Sequence, residues 1–199
     1  MSGPAEVDEF RREPDLLALS AAYKLLKKES ERALSMLEEL AGRGSLMSMV
    51  YLGDAYLKGL GVSTDVESAK KWLKRATDEG SRVAPHQLGL LYLDLKEYQH
   101  AEEMFRLGAS WNYLPSLYRL GTMYADGVGV TRQPALAREF FERASSQGHV
   151  FAKRRLAGLL LRGTGGSVEI LRGLWLFVFG LAEAVVGAVS DPEGQRMRS

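Results

Sequence analysis

Cysteine is absent from this chain. Disulfides, thiolate zinc sites and cysteine nucleophiles are thereby excluded. Histidine is scarce, with only His86, His100 and His149. None stands four residues from another ligand, and no His-Glu-x-x-His run occurs, so no metal site is expected. An excess of one charge is also missing. The 26 basic residues face 25 acidic ones, a balance that argues against nucleic acid as a partner, since a broad footprint on it needs clear basic excess. The first fourteen residues lack both a basic start and an apolar run, so they read as a polar leader and not as a secretory signal. A cytoplasmic location is the default reading.

Chemistry-bearing patterns are missing too. The glycine clusters Gly59-x-Gly61, Gly127-x-Gly129 and Gly163-Thr-Gly-Gly166 have no Gly-Lys-Ser/Thr ending and no preceding strand. They read as turns, not phosphate loops. The acidic pairs Glu38/Glu39, Asp78/Glu79 and Glu102/Glu103 have nothing apolar placed to raise a pKa, so they read as solvated faces. No Ser-His-Asp set can be assembled. The expectation is a non-catalytic protein with no cofactor.

What the chain does contain is repetition. Leu52-Gly53-x-x-Tyr56 recurs as Leu88-Gly89-x-x-Tyr92 and Leu120-Gly121-x-x-Tyr124, then decays to Leu156-Ala157-x-x-Leu160. A trace, Leu19-x-x-Ala22-Tyr23, lies upstream. The steps between the leucines are 33, 36, 32 and 36 residues, a period that means stacked helical hairpins, each too small to bury its own apolar face. Hydrophobic residues make up 46% of the 199, enough to fill the continuous core such a stack requires.

Each position in the repeat has a physical use. Ser48, Leu52, Ala55 and Tyr56 fall on one helix face. Gly59 stands where a C-terminal cap needs positive φ, and Thr64 or Asp65 can cap the next helix. Ala69, Trp72, Leu73 and Ala76 then form a second buried stripe, and Gly80 ends it. Ser116, Leu120, Tyr124, Ala137, Phe140, Phe141, Ala144 and Gly148 repeat this order. The small residues Ser48, Ala84, Ser116 and Ala152 allow the two helices to approach closely. Gly53, Gly89 and Gly121 each cost about 1 kcal/mol inside a helix, so their recurrence implies crossings with no room for a Cβ. From the tyrosine to the next helix's alanine is 13 residues in two copies, but 9 from Tyr92 to Ala101 and 10 from Tyr23 to Ala33. Long hairpins carrying the Gly-x-Gly insert therefore alternate with short ones.

These residues together resemble the Sel1-like repeat, a tetratricopeptide variant with a longer inter-helix turn. The short copies, with Tyr98-Gln-His-Ala101-Glu-Glu-Met-Phe105, are similar to plain tetratricopeptide repeats. The resemblance runs from about Asp15 to Gly166. It implies an all-α, right-handed α-solenoid of about five hairpins that serves as a scaffold or adaptor for protein partners.

In such a stack the first helices line the concave side. The face turned from the second helix comprises Met47, Val50, Asp54 and Leu57; Val83, His86, Leu90 and Leu93; Pro115, Tyr118, Thr122 and Ala125; and Phe151, Arg154, Gly158 and Leu161. Most are apolar, which suggests a groove for an amphipathic helix or apolar peptide. A register shift of one residue would move some of them into the core.

After Gly166 the pattern changes. Residues 167–189 form an apolar segment, with only Arg172 and Glu183 charged between Ile170 and Val189. Leu174, Trp175, Phe177, Phe179, Gly180 and Val186 are its candidate contact residues. Three readings stand: a cap that offers one side to a partner or second copy, a membrane-associated or tail-anchored helix, and a segment folded back into the groove. The uncharged runs fall short of the ~20 residues a span needs, whereas the basic residues from Lys153 to Arg172 suit the cytoplasmic flank of one. Membrane recruitment of a soluble partner is thus the alternative function. Residues 190–199 are a polar tail.

Overall fold

A computed structural model of the chain describes residues 9–162, 170–176 and 178. Of the C-terminal candidates, Phe177, Phe179, Gly180 and Val186 lie outside the described residues, as does the Gly163–Gly166 run. Among the described residues the chain is all-α. The helices are α1 (Leu16–Leu25), α2 (Ser30–Gly42), α3 (Leu46–Lys58), α4 (Val66–Asp78), α5 (Ala84–Asp94), α6 (Tyr98–Ser110), α7 (Leu114–Asp126), α8 (Pro134–Ser146) and α9 (Val150–Arg162). A further helical stretch covers 170–176. The chain divides into two compact units, residues 1–116 and 117–199, with the boundary inside α7.

Within the first unit, α1/α2, α3/α4 and α5/α6 are hairpins, and α2 packs on α3 as α4 packs on α5. Its core joins the leucine column (Leu19, Leu52, Leu88) to the second-helix stripe (Ala33, Leu37, Ala69, Leu73). Phe105 and Ala101 of α6 are buried as well. In the second unit α8 packs on α9, and Leu120, Phe141, Leu156 and Leu160 are among its buried side chains. Each fully buried leucine or phenylalanine contributes about 1.5–3 kcal/mol relative to exposure.

The recurring glycines are explained by contact distance. A Cβ on Gly53 would stand 2.7 Å from Leu73 Cγ, one on Gly89 would stand 2.6 Å from Phe105 Cε1, and one on Gly121 would stand 2.5 Å from Phe141 Cε1. Every hairpin in this series sets the large side chain of its second helix on the bare backbone of its first. The helix-propensity cost is offset by the dispersion contacts of that fit.

Two backbone bonds keep the repeat in register. The carbonyl of the tyrosine column accepts from the residue that precedes each second helix: Asp65 N to Tyr56 O (3.0 Å), Glu97 N to Tyr92 O (2.8 Å) and Gln133 N to Tyr124 O (2.9 Å). Long and short loops therefore close on the same atom. In the long loop Gly59 takes φ 68° as the C-cap of α3, and Asp65 caps α4 by accepting from Glu67 N at 3.0 Å and Ser68 N at 3.2 Å. At the junctions between hairpins, Ser45 N bonds Leu40 O, Ser81 N bonds Ala76 O, Tyr113 N bonds Gly108 O and His149 N bonds Ala144 O, all at 2.9–3.1 Å. These are Schellman closures. The residue before each is left-handed: Gly44, Gly80, Asn112 and Gly148.

The glycine contacts predict opposite signs within one unit. Gly121→Ala forces its Cβ into the Phe141 ring and should lower stability by about 1–2 kcal/mol, the overpacking cost less the helix-propensity gain. Gly158 in α9 has nothing within 4 Å of its notional Cβ. Gly158→Ala should therefore raise stability by about 0.5–1 kcal/mol. Thermal and urea melts of the two variants check this.

Candidate partner-binding groove

The groove face expected from the repeat register is not uniformly open. Met47, Val50, Val83, His86 and Ala125 are buried; Asp54, Leu57, Leu90, Leu93, Pro115, Tyr118, Thr122 and Gly158 are half-buried; Phe151, Arg154 and Leu161 are exposed. Each unit gathers its own part of the set.

In the first unit, Met47, Val50, Asp54, Leu57 and Val83 line one cavity of about 330 Å³, together with Tyr23, Tyr51, Lys58, Leu73, Gln87 and Phe10. Tyr23 and Tyr51 are in ring contact at 4.8 Å. The charged rim is the Lys58–Asp54 pair at 2.7 Å, whose partners are solvent-exposed and add little stability. Leu90 and Leu93 lie on α5 outside the lining. His86 turns inward, with ring centroids 5.6 Å from Phe105 and 5.5 Å from Tyr113 and Nδ1 3.4 Å from Ser116 Oγ.

The presence of Phe10 in the lining identifies what buries the upper face. Residues 9–13 of the polar leader form a turn, with Arg12 N bonding Glu9 O and Glu13 N bonding Phe10 O. Its two carboxylates reach two hairpin junctions. Glu13 accepts from Ser45 Oγ and, at 2.8 Å, from Met47 N. Glu9 accepts from Ser81 Oγ, from Arg82 N at 2.9 Å and from Val83 N at 3.3 Å. Both acids thus satisfy free amides at helix N-termini, where the helix dipole favours negative charge. Only 5% of Glu9 is exposed. This burial pushes its carboxyl above the ordinary 4.5, although the bonds from Ser81, Arg82 and Val83 pull the other way.

The serines perform two tasks at once. Ser45 Oγ accepts from Ser48 N at 3.1 Å and Ser81 Oγ accepts from Ala84 N at 3.0 Å, so each caps its helix while donating its own proton to the leader. Sequence reasoning missed this. The available signal was a pair of serines directly after left-handed glycines, one repeat apart, and a pair of leader glutamates one helical turn apart.

In the second unit the same capping position is His149, whose Nδ1 accepts from Ala152 N at 3.1 Å. Burial holds its pKa below the ordinary 6.5. Its ring stacks on Tyr118 at 5.0 Å and lies 6.1 Å from Phe151, while Tyr118 and Phe151 stand 6.4 Å apart. Phe151 is 61% exposed, so this cluster offers an aromatic face to solvent. Thr122 returns its hydroxyl to Tyr118 O at 2.9 Å.

The helical stretch at 170–176 buries Gly173 and Leu176. A Cβ on Gly173 would meet Leu160 Cβ at 3.1 Å and Leu161 Cγ at 3.2 Å. Leu171, Leu174, Trp175 and Val178 share the opposite face and are all exposed. Among the described residues no helix is long and apolar enough to cross a membrane.

The comparisons with known proteins agree with this architecture. The Sel1 repeat profile matches residues 46–81 and 114–149, the two long hairpins. These two segments are Sel1-like repeats. Sel1-like repeats generally mediate protein–protein interaction. The chain is similar to a Sel1 repeat protein of Oxalobacter formigenes, with 24% identity, TM-score 0.74, and coverage of 85% of this chain and 70% of that one. It is also similar to a protective antigen of uropathogenic Escherichia coli, with 22% identity, TM-score 0.71, and coverage of 83% and 38%. The chitin synthase regulator SKT5 of Saccharomyces cerevisiae is 27% identical over 156 residues, 71% of this chain; the chain spans only 22% of that relative's length.

Two titrations follow from the site. The folded protein holds the Glu9 proton more tightly than the unfolded chain does. Its stabilising contribution is therefore full below about pH 4.5 and is lost as pH rises through the raised value. Glu9→Gln should flatten that part of the urea-stability profile. His149 has the opposite sign: its depressed pKa gives stability above about pH 6.5 that is lost as pH falls. His149→Ser, which restores the cap used at Ser45 and Ser81, should keep the fold and remove the acid-side loss.

Proposed function

We propose that this chain is a non-catalytic adaptor that binds a helix or apolar peptide of a protein partner on its first-helix face. The observation that carries this reading is the cavity bounded by Met47, Val50, Asp54, Leu57 and Val83. Its volume suits one or two anchoring side chains rather than a whole substrate, and binding energy in such interfaces concentrates in a few anchors. The half-buried Leu90 and Leu93 extend this surface. The cluster of Tyr118, Thr122, Phe151 and Arg154 supplies a second contact area, of the aromatic and arginine kind that interfaces favour. The yeast relative is a regulator by name, which suits a chain that acts through a partner.

A second reading is recruitment of that partner to a bilayer, or pairing with a second copy, through residues 170–189. The exposed face of Leu171, Leu174, Trp175 and Val178 favours it, since an apolar helical stripe can lie in an interface without spanning it.

Affinity capture with the full chain tests the first reading. Leu57→Glu, Leu90→Glu and Tyr118→Asp should each reduce recovery of the bound partner tenfold or more while circular dichroism stays unchanged. Partner recovery indifferent to all three would place binding elsewhere. For the second reading, flotation with anionic vesicles should recover the wild-type chain and lose Leu174→Glu/Trp175→Glu. Equal flotation of both chains, or of neither, removes the bilayer reading.

A further inference from the structure

We infer that the groove of the first unit recognises an acidic segment of the pattern Glu-apolar-x-x-Glu on a partner protein, and that this chain's own residues 9–13 hold that site as an internal competitor. The inference rests on the groove reading above and specifies its ligand. Three features of the bound leader define the chemistry. Its attachment runs through the side chains of Glu9, Phe10 and Glu13, while Arg11 and Arg12 between them are exposed. The two acids meet equivalent positions one repeat apart, each finding a serine hydroxyl at a helix N-terminus, with one backbone amide for Glu13 and two for Glu9. Amides aimed at a carboxylate are a fixed positive potential that does not depend on lysine or arginine. Phe10, between the two acids in sequence, forms part of the cavity wall.

The arrangement has the properties of a recognition site rather than a structural staple alone. Glu9 is buried, and its carboxyl oxygens accept from three donors, which makes a built seat for a carboxyl group. The spacing of the acids matches one helical turn, so an amphipathic partner helix can present the same pair. The cavity that Phe10 helps to line is also lined by Leu57 and Lys58, so a segment longer than the leader can add contacts there. An intramolecular occupant gains from its high effective concentration. A partner must therefore outbid the leader, through those added contacts.

The test uses a fluorescent peptide with the sequence of positions 7–15, titrated by anisotropy against the full chain and against the full chain carrying Glu9→Ala, Phe10→Ala and Glu13→Ala. The peptide should bind the substituted chain at least tenfold more tightly than the wild type. A peptide with glutamine for both glutamates should lose tenfold or more. Equal affinity for the two chains, no binding to the substituted chain, or equal binding of the glutamine peptide would overturn the inference. If the triple variant melts early, Glu13→Ala alone must show peptide binding between the two extremes, and no gain over wild type there overturns it equally. Partner capture that still depends on Leu57 and Leu90 while the peptide fails would sink the acidic motif and leave the groove standing. Failure of both would remove the groove as well.

Discussion

Everything in this chain depends on how closely two helices of a hairpin can approach. The glycine column decides it. With Gly53, Gly89 and Gly121 bare, Leu73, Phe105 and Phe141 sit directly on helix backbone. That seating fixes the offset between first and second helices. The small residues Ser48, Ala84, Ser116 and Ala152, all fully buried, mark the other close approach. Once these distances are set, the tyrosine carbonyl accepts the same bond in the copies of Tyr56, Tyr92 and Tyr124, and the Schellman bond recurs at the four junctions. Loop length then becomes free to vary. The four extra residues of the Gly-x-Gly insert are accommodated because both loop types end on the same acceptor, and Gly61 of the first insert packs on the backbone at Ser30 and Glu31.

That tight register has a consequence at the junctions. Each of the four described junctions carries a left-handed residue followed by the one that closes the old helix, and at Ser45, Ser81 and His149 that residue also caps the new helix. The cap side chain is therefore placed by backbone geometry at the N-termini of α3, α5 and α9. Its identity is left to the sequence. Serine supplies a hydroxyl that accepts from the helix and still has a proton to give. Through that proton, Ser45 and Ser81 fasten the leader.

The fold was legible because its determinants are local. The period of the leucines, the Gly-x-Gly turns, the Asp65 cap and the glycine crossings each involve residues within one hairpin, and the sequence carries them as spacing. The groove was legible only as a helix face. Periodicity says that Met47, Val50, Val83 and His86 share that face, but not what lies against it. The covering group comes from outside the repeat: Glu9 is 72 residues from Ser81, and Glu13 is 32 from Ser45. A charged, arginine-containing leader looks solvated by composition. Two of its carboxylates are not, because helix N-termini offer amides that composition does not record. Asn112 shows the same limit on a smaller scale, filling with φ 55° a junction position where the other copies carry glycine.

The cap residue also differs between the two units in the chemistry it presents. At His149 the cap nitrogen is an acceptor for Ala152 N, so in the neutral ring it carries no proton to offer a carboxylate. Burial favours that neutral form. The dual use seen at Ser45 and Ser81 is thus closed to this position. What the imidazole offers instead is a flat face, already stacked on Tyr118 and set beside the exposed Phe151. One substitution pattern along a single column, serine, serine, tyrosine, histidine, therefore changes the surface from a seat for acids to an aromatic platform while the backbone beneath it stays the same. The junction is thus where the fold demands a residue but constrains its chemistry least.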